Sequence, residues 1–216
     1  MKYVSSRNKN EIVESHNAII QGLAKDGGLF TPENINIHIN VDELTNLSYQ
    51  QIATKVIHAF LDDFTEEEIS SSVNQAYDNK FDTEEIVPLH KIEDAYLMEL
   101  YHGPTSAFKD IALTLLPHLL IQSYNKENRH DTISILTATS GDTGKAALSG
   151  FADVKHTAIT VFYPEVGVSQ VQKKQMQTAT GDNVEVIAVK GNFDDCQRMV
   201  KEATQDPQVL ASLHNV

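Results

Sequence analysis

The chain of 216 residues contains no tryptophan and a single cysteine, Cys196. One cysteine cannot close an intramolecular disulfide, so no disulfide framework supports this fold, and nothing points to an oxidising compartment. Proline and glycine are scarce, at 6 and 10 residues, and no low-complexity tract is present, which excludes fibrous architectures and argues against disorder. No apolar run approaches the roughly 18 residues of a membrane span, and the first fifteen positions lack the apolar segment of a secretion signal. A cytoplasmic protein with no membrane partner is expected. Positive charge is short as well: 17 Lys and Arg stand against 30 Asp and Glu, a net charge of -13 that repels nucleic-acid backbones. The 9 histidines are scattered, with no His-Glu-x-x-His and no Cys/His spacing suited to zinc, so no metal site is expected.

What is present is enough apolar side chain, 41% of residues, to fill the core of one ordinary domain or two small ones. The acid is concentrated early. Residues 1–100 hold 18 acidic and 7 basic side chains, net -11, leaving 12 and 10, net -2, for the remainder. The near-neutral second half can host an anionic ligand without an opposing field of its own.

Periodicity predicts a helix over 15–23, stopped by Asp26-Gly27-Gly28, and a second over 48–62 with Ile52, Val56, Ala59 and Phe60 on one face. Thr65 is an N-cap for a third helix running to about 77, with Glu68 completing a capping box. Asp62, Asp63 and Glu66 to Glu68 read as a solvated helix junction. After Asp82 the texture changes: short strands at 86–92 and 95–101, then a helix over 109–125 that is apolar almost all round and should kink or break at Pro117. Strands at 132–138, 158–163 and 184–189 then alternate with helices at 143–151, 168–178 and 194–202. That alternation predicts an α/β fold, with a helical N-terminal region (1–85) followed by a parallel-sheet α/β domain (86–216). Ligands in such sheets sit beyond the carboxyl ends of strands, which directs attention to the loops after Ala138, Tyr163 and Val189.

Two segments carry chemistry. The first is His102-Gly103-Pro104-Thr105-Ser106-Ala107-Phe108-Lys109-Asp110. A lysine at the mouth of an apolar helix meets desolvation and the positive end of the helix dipole, and both favour the neutral amine that Schiff-base chemistry needs. The same residues also fit a surface lysine at a helix start, paired with Asp110. The second is Thr137-Ala138-Thr139-Ser140-Gly141-Asp142-Thr143-Gly144-Lys145, joining a strand to a helix. Its glycines permit close backbone approach, Ser140 and Thr143 supply hydroxyls, and the first helical amides are free donors, which together suit a carboxylate or phosphate. The alternative is a plain turn in which Asp142 caps the helix. A nucleotide P-loop is excluded, since Thr139 and Ala146 stand where that motif requires Gly and Ser or Thr, and no dinucleotide fingerprint is present. Gly191-Asn192-Phe193-Asp194-Asp195 reads as a turn followed by an N-cap, and Cys196 as a small buried residue.

Together the two segments resemble the threonine synthase family, pyridoxal-phosphate enzymes of the tryptophan-synthase-β-like fold. The likeness extends to Gly22-Leu23, Asp26-Gly27-Gly28-Leu29-Phe30-Thr31-Pro32, Tyr163-Pro164, Gly167-Val168-Ser169 and Phe193-Asp194-Asp195-Cys196, in the expected order. It implies conversion of O-phospho-L-homoserine and water to L-threonine and phosphate, with pyridoxal 5'-phosphate as cofactor. Lys109 matches the lysine that holds the cofactor and moves protons. Thr139, Ser140, Gly141 and Thr143 match the segment that grips the substrate carboxylate; Lys145 could meet the substrate phosphate, with a solvated helix lysine as the favoured alternative. Asp142 stands where related enzymes place an asparagine that donates to the cofactor's ring oxygen. An ionised aspartate can only accept, so it must share a proton there, receive donors from the loop, or point elsewhere. The family's glycine-rich phosphate loop and the hydroxyl facing the pyridine nitrogen lie further along than Val216, which implies an incomplete, inactive fragment. Two other readings remain open: a dehydratase or synthase of the same fold, and a short non-catalytic relative serving as a binding module. The oligomeric state is not legible.

Overall fold

A computed structural model of the chain describes residues 1–212; the end of the chain at 213–216 lies outside the described residues. In order, the elements are β1 (Lys2–Ser5), β2 (Ile12–Glu14), α1 (Ser15–Gln21), β3 (Phe30–Pro32), a 3-10 turn (Val41–Leu44), α2 (Tyr49–Phe60), α3 (Glu66–Ala76), β4 (Leu89–Ile92), β5 (Ala95–Met98), α4 (Asp110–Leu113), α5 (Leu116–Lys126), β6 (Ile133–Ala138), α6 (Asp142–Phe151), β7 (Thr157–Pro164), α7 (Gln170–Gln177), β8 (Val184–Val189), α8 (Phe193–Ala203) and α9 (Pro207–Ser212). They form two compact units, one of residues 1–78 with 118–129 and the other of 79–117 with 130–216. Among the described residues no helix is long and apolar enough to cross a membrane, and no group of three or more His, Cys, Asp or Glu is placed to hold a metal ion.

The first unit is not purely helical, as its sequence led us to expect. β1 pairs antiparallel with β2 on one side and with β3 on the other, so a three-stranded sheet precedes the helices. Helices α2 and α3 start where their caps dictate. Ser48 and Thr65 each accept from the backbone three residues on, and Gln51 and Glu68 return the bond, so both ends carry capping boxes. Phe64, Ile69, Val73, Ala76 and Tyr77 are buried, and Tyr77 meets Tyr49 edge to face at 5.1 Å. Asp63 also departs from the expected solvated junction: it accepts from the Ser15 hydroxyl and from the backbone and ring nitrogens of His16. Burial pushes the Asp63 carboxyl up, and these donors more than reverse it, holding it below the usual range. Residues 118–129 belong here because Glu127 reaches the His16 ring at 2.8 Å and Lys126 pairs with Glu68 at 3.0 Å.

In the second unit β6, β7 and β8 form a parallel sheet in that order. The alternation of strand and helix is as the sequence pattern predicts, and β7, the central strand, has no exposed residue. Helices α6 and α8 pack on the sheet, burying Leu148, Phe151, Ile159, Val161 and Cys196. The predicted helix over 109–125 is two helices. Pro117 falls in the first turn of α5, where its missing N–H leaves no bond unmade, and the chain breaks just before it. α4 then lies against α6, and the contact is close: a Cβ on Gly150 would overlap the carbonyl oxygen of Leu113. Asn183 fastens the far end of α6, donating to the carbonyls of Phe151 at 2.9 Å and Thr157 at 3.0 Å while accepting from the Asp153 amide at 2.7 Å. The β4–β5 hairpin is exposed along its whole length.

Because Gly150 touches backbone, which cannot yield as a flexible side chain can, Gly150→Ala should lower stability by about 1–3 kcal/mol, the usual range for overpacking. The midpoint of urea unfolding measures it, with Ala152→Gly at the end of the same helix as a comparison; an unchanged midpoint would show that α4 and α6 are not in this register.

Candidate functional site

The segment leading to Lys109 is a pinned loop. Gly103 accepts from the Ser106 amide at 3.0 Å, Ala107 from the Asp110 amide at 2.9 Å, and Phe108 from the Ile111 amide at 3.3 Å. Ser106 adopts a left-handed conformation, φ 57°, which costs roughly 1 kcal/mol for a residue other than glycine. What maintains it is Asp110. Its carboxylate, 1% exposed, accepts from the Thr105 amide at 2.8 Å and the Thr105 hydroxyl at 2.6 Å. It also lies against Gly103, where any Cβ would sit 2.6 Å from Oδ2. Lys109 is the half-buried residue before α4, with its ammonium 4.5 Å above the centre of the exposed Phe108 ring. The carboxylate of Asp110 therefore turns back into the loop, rather than toward Lys109 as the surface-lysine alternative required.

The second loop joins β6 to α6. Thr139 is buried, and its hydroxyl accepts from the Gly141 amide at 3.0 Å and the Gly144 amide at 2.9 Å while donating to the Gly141 carbonyl at 3.1 Å. It serves as the cap that Gly141, at the N-cap position, cannot provide. The helix-capping role foreseen as an alternative for Asp142 thus falls to Thr139. Ser140 and Thr143 are exposed, and the amides of Asp142 and Thr143 open the helix without intrahelical acceptors. Asp142 receives a bond at 2.6 Å from the Gln172 side-chain amide, whose oxygen accepts from the Ser169 hydroxyl at 2.9 Å. The donor lies on α7, outside the loop from which the sequence reading expected one.

The two loops come together through their helices: α4, which follows the first, packs against α6, which the second opens. Lys145, in the first turn of α6, interacts electrostatically with Asp110; burial pushes its ammonium below the usual lysine range, and the carboxylate opposes that shift. Lys145 and the N-terminus of α6 thus lie beyond the carboxyl end of β6, on the helix against which α4 packs. The loop after β8 does what its sequence suggested, with Asn192 as N-cap and Asp195 closing the capping box.

Three contributors escape the sequence reading. Asp110 was assigned to Lys109; the signal that could have found its real partner is a hydroxyl residue five positions ahead of a helix-opening acid. Gln172 carries no motif. His102 stands at the head of the first motif with no role of its own there, and its ring lies between Asp82 and Glu99.

Comparison with known proteins agrees with this arrangement. Residues 2–77 match the family described as "Threonine synthase N terminus", and residues 82–214 match "Pyridoxal-phosphate dependent enzyme". A threonine synthase of Pseudomonas aeruginosa is 37% identical over 215 residues, covering 97% of this chain and 45% of its own length. Among solved structures, the PLP-bound threonine synthase of Brucella melitensis superposes with a TM-score of 0.90 at 34% identity, over 100% of this chain and 47% of that one. The yeast threonine synthase gives 0.88 at 31%, over 100% and 45%. The chain thus spans about half the length of the relatives it matches. By the match over residues 82–214, with the threonine synthase N terminus ahead of it, this chain belongs to the family of pyridoxal-phosphate dependent enzymes.

Proposed function

We propose that this chain carries the reactive lysine and the carboxylate-binding loop of a cytoplasmic threonine synthase, which converts O-phospho-L-homoserine and water to L-threonine and phosphate with pyridoxal 5'-phosphate as cofactor. The observation that carries the reading is the packing of α4, which follows the Lys109 loop, against α6, which the Thr139–Gly144 loop opens, within a chain aligned along 97% of its length with a threonine synthase.

The residues fit the group by the chemistry of their donors. Lys109 offers a primary amine on a loop whose shape Asp110 fixes, and its amine lies over an aromatic face rather than against a carboxylate. Such an amine condenses with an aldehyde. When bound, the cofactor supplies an electron sink for the substrate's α-carbon. Lys109 holds it and, once displaced by substrate, takes and returns protons at the α- and β-carbons. The exposed hydroxyls of Ser140 and Thr143, with the amides of Asp142 and Thr143 in the first turn of α6, bind the substrate carboxylate; Thr139, which occupies the Gly141 and Gly144 amides, holds that loop in shape. Lys145 brings positive charge toward the substrate phosphate. Asp142, steadied by Gln172, would meet the cofactor's ring oxygen only by sharing a proton with it. Because the relatives carry as much chain again, the activity belongs to a protein of their length, and the 216-residue chain alone should give no turnover of O-phosphohomoserine.

Treatment of the chain with pyridoxal phosphate and borohydride, followed by peptide mapping, should place the label on Lys109 ahead of the other lysines, and Lys109→Ala should lose it. Even labelling of surface lysines would sink the assignment. Thr139→Val leaves the Gly141 and Gly144 amides without their acceptor and should cost about 1–3 kcal/mol. The unfolding midpoint measures that loss, and a titration with inorganic phosphate followed at the amides of residues 140–145 should show weaker binding in the variant than in the parent chain.

A further inference from the structure

His102 opens the loop that ends in Lys109, and each of its ring nitrogens meets a carboxylate. Nδ1 lies 2.5 Å from Asp82 Oδ1, and Nε2 lies 2.8 Å from Glu99 Oε2. A neutral imidazole has one N–H and can donate to one of these only, so both bonds require the imidazolium. The pair with Glu99 is shielded, with side chains 15% and 17% exposed. The groups that face the ring are Asp82, Glu99 and Tyr101, which stacks on it at 4.6 Å and whose hydroxyl hydrogen-bonds Glu99; His90 reaches the same Glu99 oxygen at 3.4 Å. The backbone repeats the tie, as the Asp82 amide donates to the His102 carbonyl at 3.1 Å. From His102 onward the path to the lysine is short and stiff, because Gly103 lies against Asp110 and Thr105 is bonded to it.

We propose that His102, as an imidazolium bridging Asp82 and Glu99, is a positioning residue for Lys109: while charged, it fixes the stem of the loop over 103–110 and with it the place of the lysine amine. The part concerning reactivity rests on the reading of Lys109 as the reactive lysine. Glu99 first and Asp82 second hold the ring above the usual histidine range, against the opposing effect of burial. A group raised on folding contributes its full stabilisation below its unfolded value and loses it as pH rises through the folded one. The stem therefore loosens on the alkaline side of the ordinary histidine range.

The test follows the ring of His102 and the amides of residues 103–109 of this chain by NMR across pH, alongside the rate of pyridoxal-phosphate labelling at Lys109. The ring midpoint should lie above that of an unperturbed histidine, and the loop amides and the labelling rate should change with the same midpoint. His102→Gln should remove that step from both readouts and label Lys109 several-fold more slowly on the acid side. Glu99→Gln, which keeps the histidine, should lower the ring midpoint. Loop amides indifferent to the His102 titration, an unmoved midpoint in Glu99→Gln, or parent-like labelling in His102→Gln would overturn the proposal. Labelling of Lys109 no faster than that of other lysines would instead overturn the reading of Lys109, with the amide titration still deciding the role of His102.

Discussion

Burying the carboxylate of Asp110 at the head of a four-residue helix is unfavourable unless its oxygens are fully supplied, and the second unit is built around supplying them. Thr105 gives two donors and Lys145 a cation, while Gly103 leaves room for the group to lie flat against the backbone. Each supplier is also part of something else. Thr105 and Gly103 shape the loop that carries Lys109, and Lys145 belongs to the helix whose N-terminus forms the anion loop. The bonds from Thr105 stay within the loop that carries Lys109, while the field of the same carboxylate reaches Lys145 on α6, so one buried acid acts on both segments.

The same logic accounts for the strain nearby. The left-handed Ser106 and the break before Pro117 are local penalties in the chain that flanks Lys109. Ser106 lies inside the loop that Asp110 holds through Thr105, and the break lets Pro117 occupy the first turn of α5, where it needs no amide bond. The glycine contact between α4 and α6 serves the same end, since it lets the short helix sit close enough for Lys145 and Asp110 to interact. Packing, turn chemistry and electrostatics at this end of the unit agree on one arrangement, as a foldable sequence requires.

How much of this could be read beforehand follows from the range of each interaction. Thr65 with Glu68, and Pro117 within an apolar run, act over three or four residues, and both were legible as written. The parallel strands were legible too, because Ile133–Ala138, Thr157–Pro164 and Val184–Val189 are rich in β-branched and apolar residues, the central one being the most buried. β1 to β3 were not: they are three or four residues long, and β1 pairs with residues near 31, so no local alternation announces them. Asp63 read as solvent-facing because its partners, Ser15 and His16, lie about fifty residues earlier in the chain. Asp110 and Gln172 failed differently. Their neighbours suggested roles, pairing with Lys109 for one and none for the other, and the side-chain direction that sets the real partner is a tertiary choice.

That direction matters most at Asp142. A negative charge in the first turn of α6 is favourable to the helix and unfavourable to any anion that binds there. The bond from Gln172 eases this conflict by offering the carboxylate a donor of its own on α7, so that it need not compete for the amides of the turn. Thr139 has already taken the amides of Gly141 and Gly144 on the inner side. What the loop presents outward is then the remaining first-turn amides with the hydroxyls of Ser140 and Thr143, a set of donors sized for a carboxylate. Lys145, one turn further in and bound to the charge of Asp110, sets the sign of the field behind them.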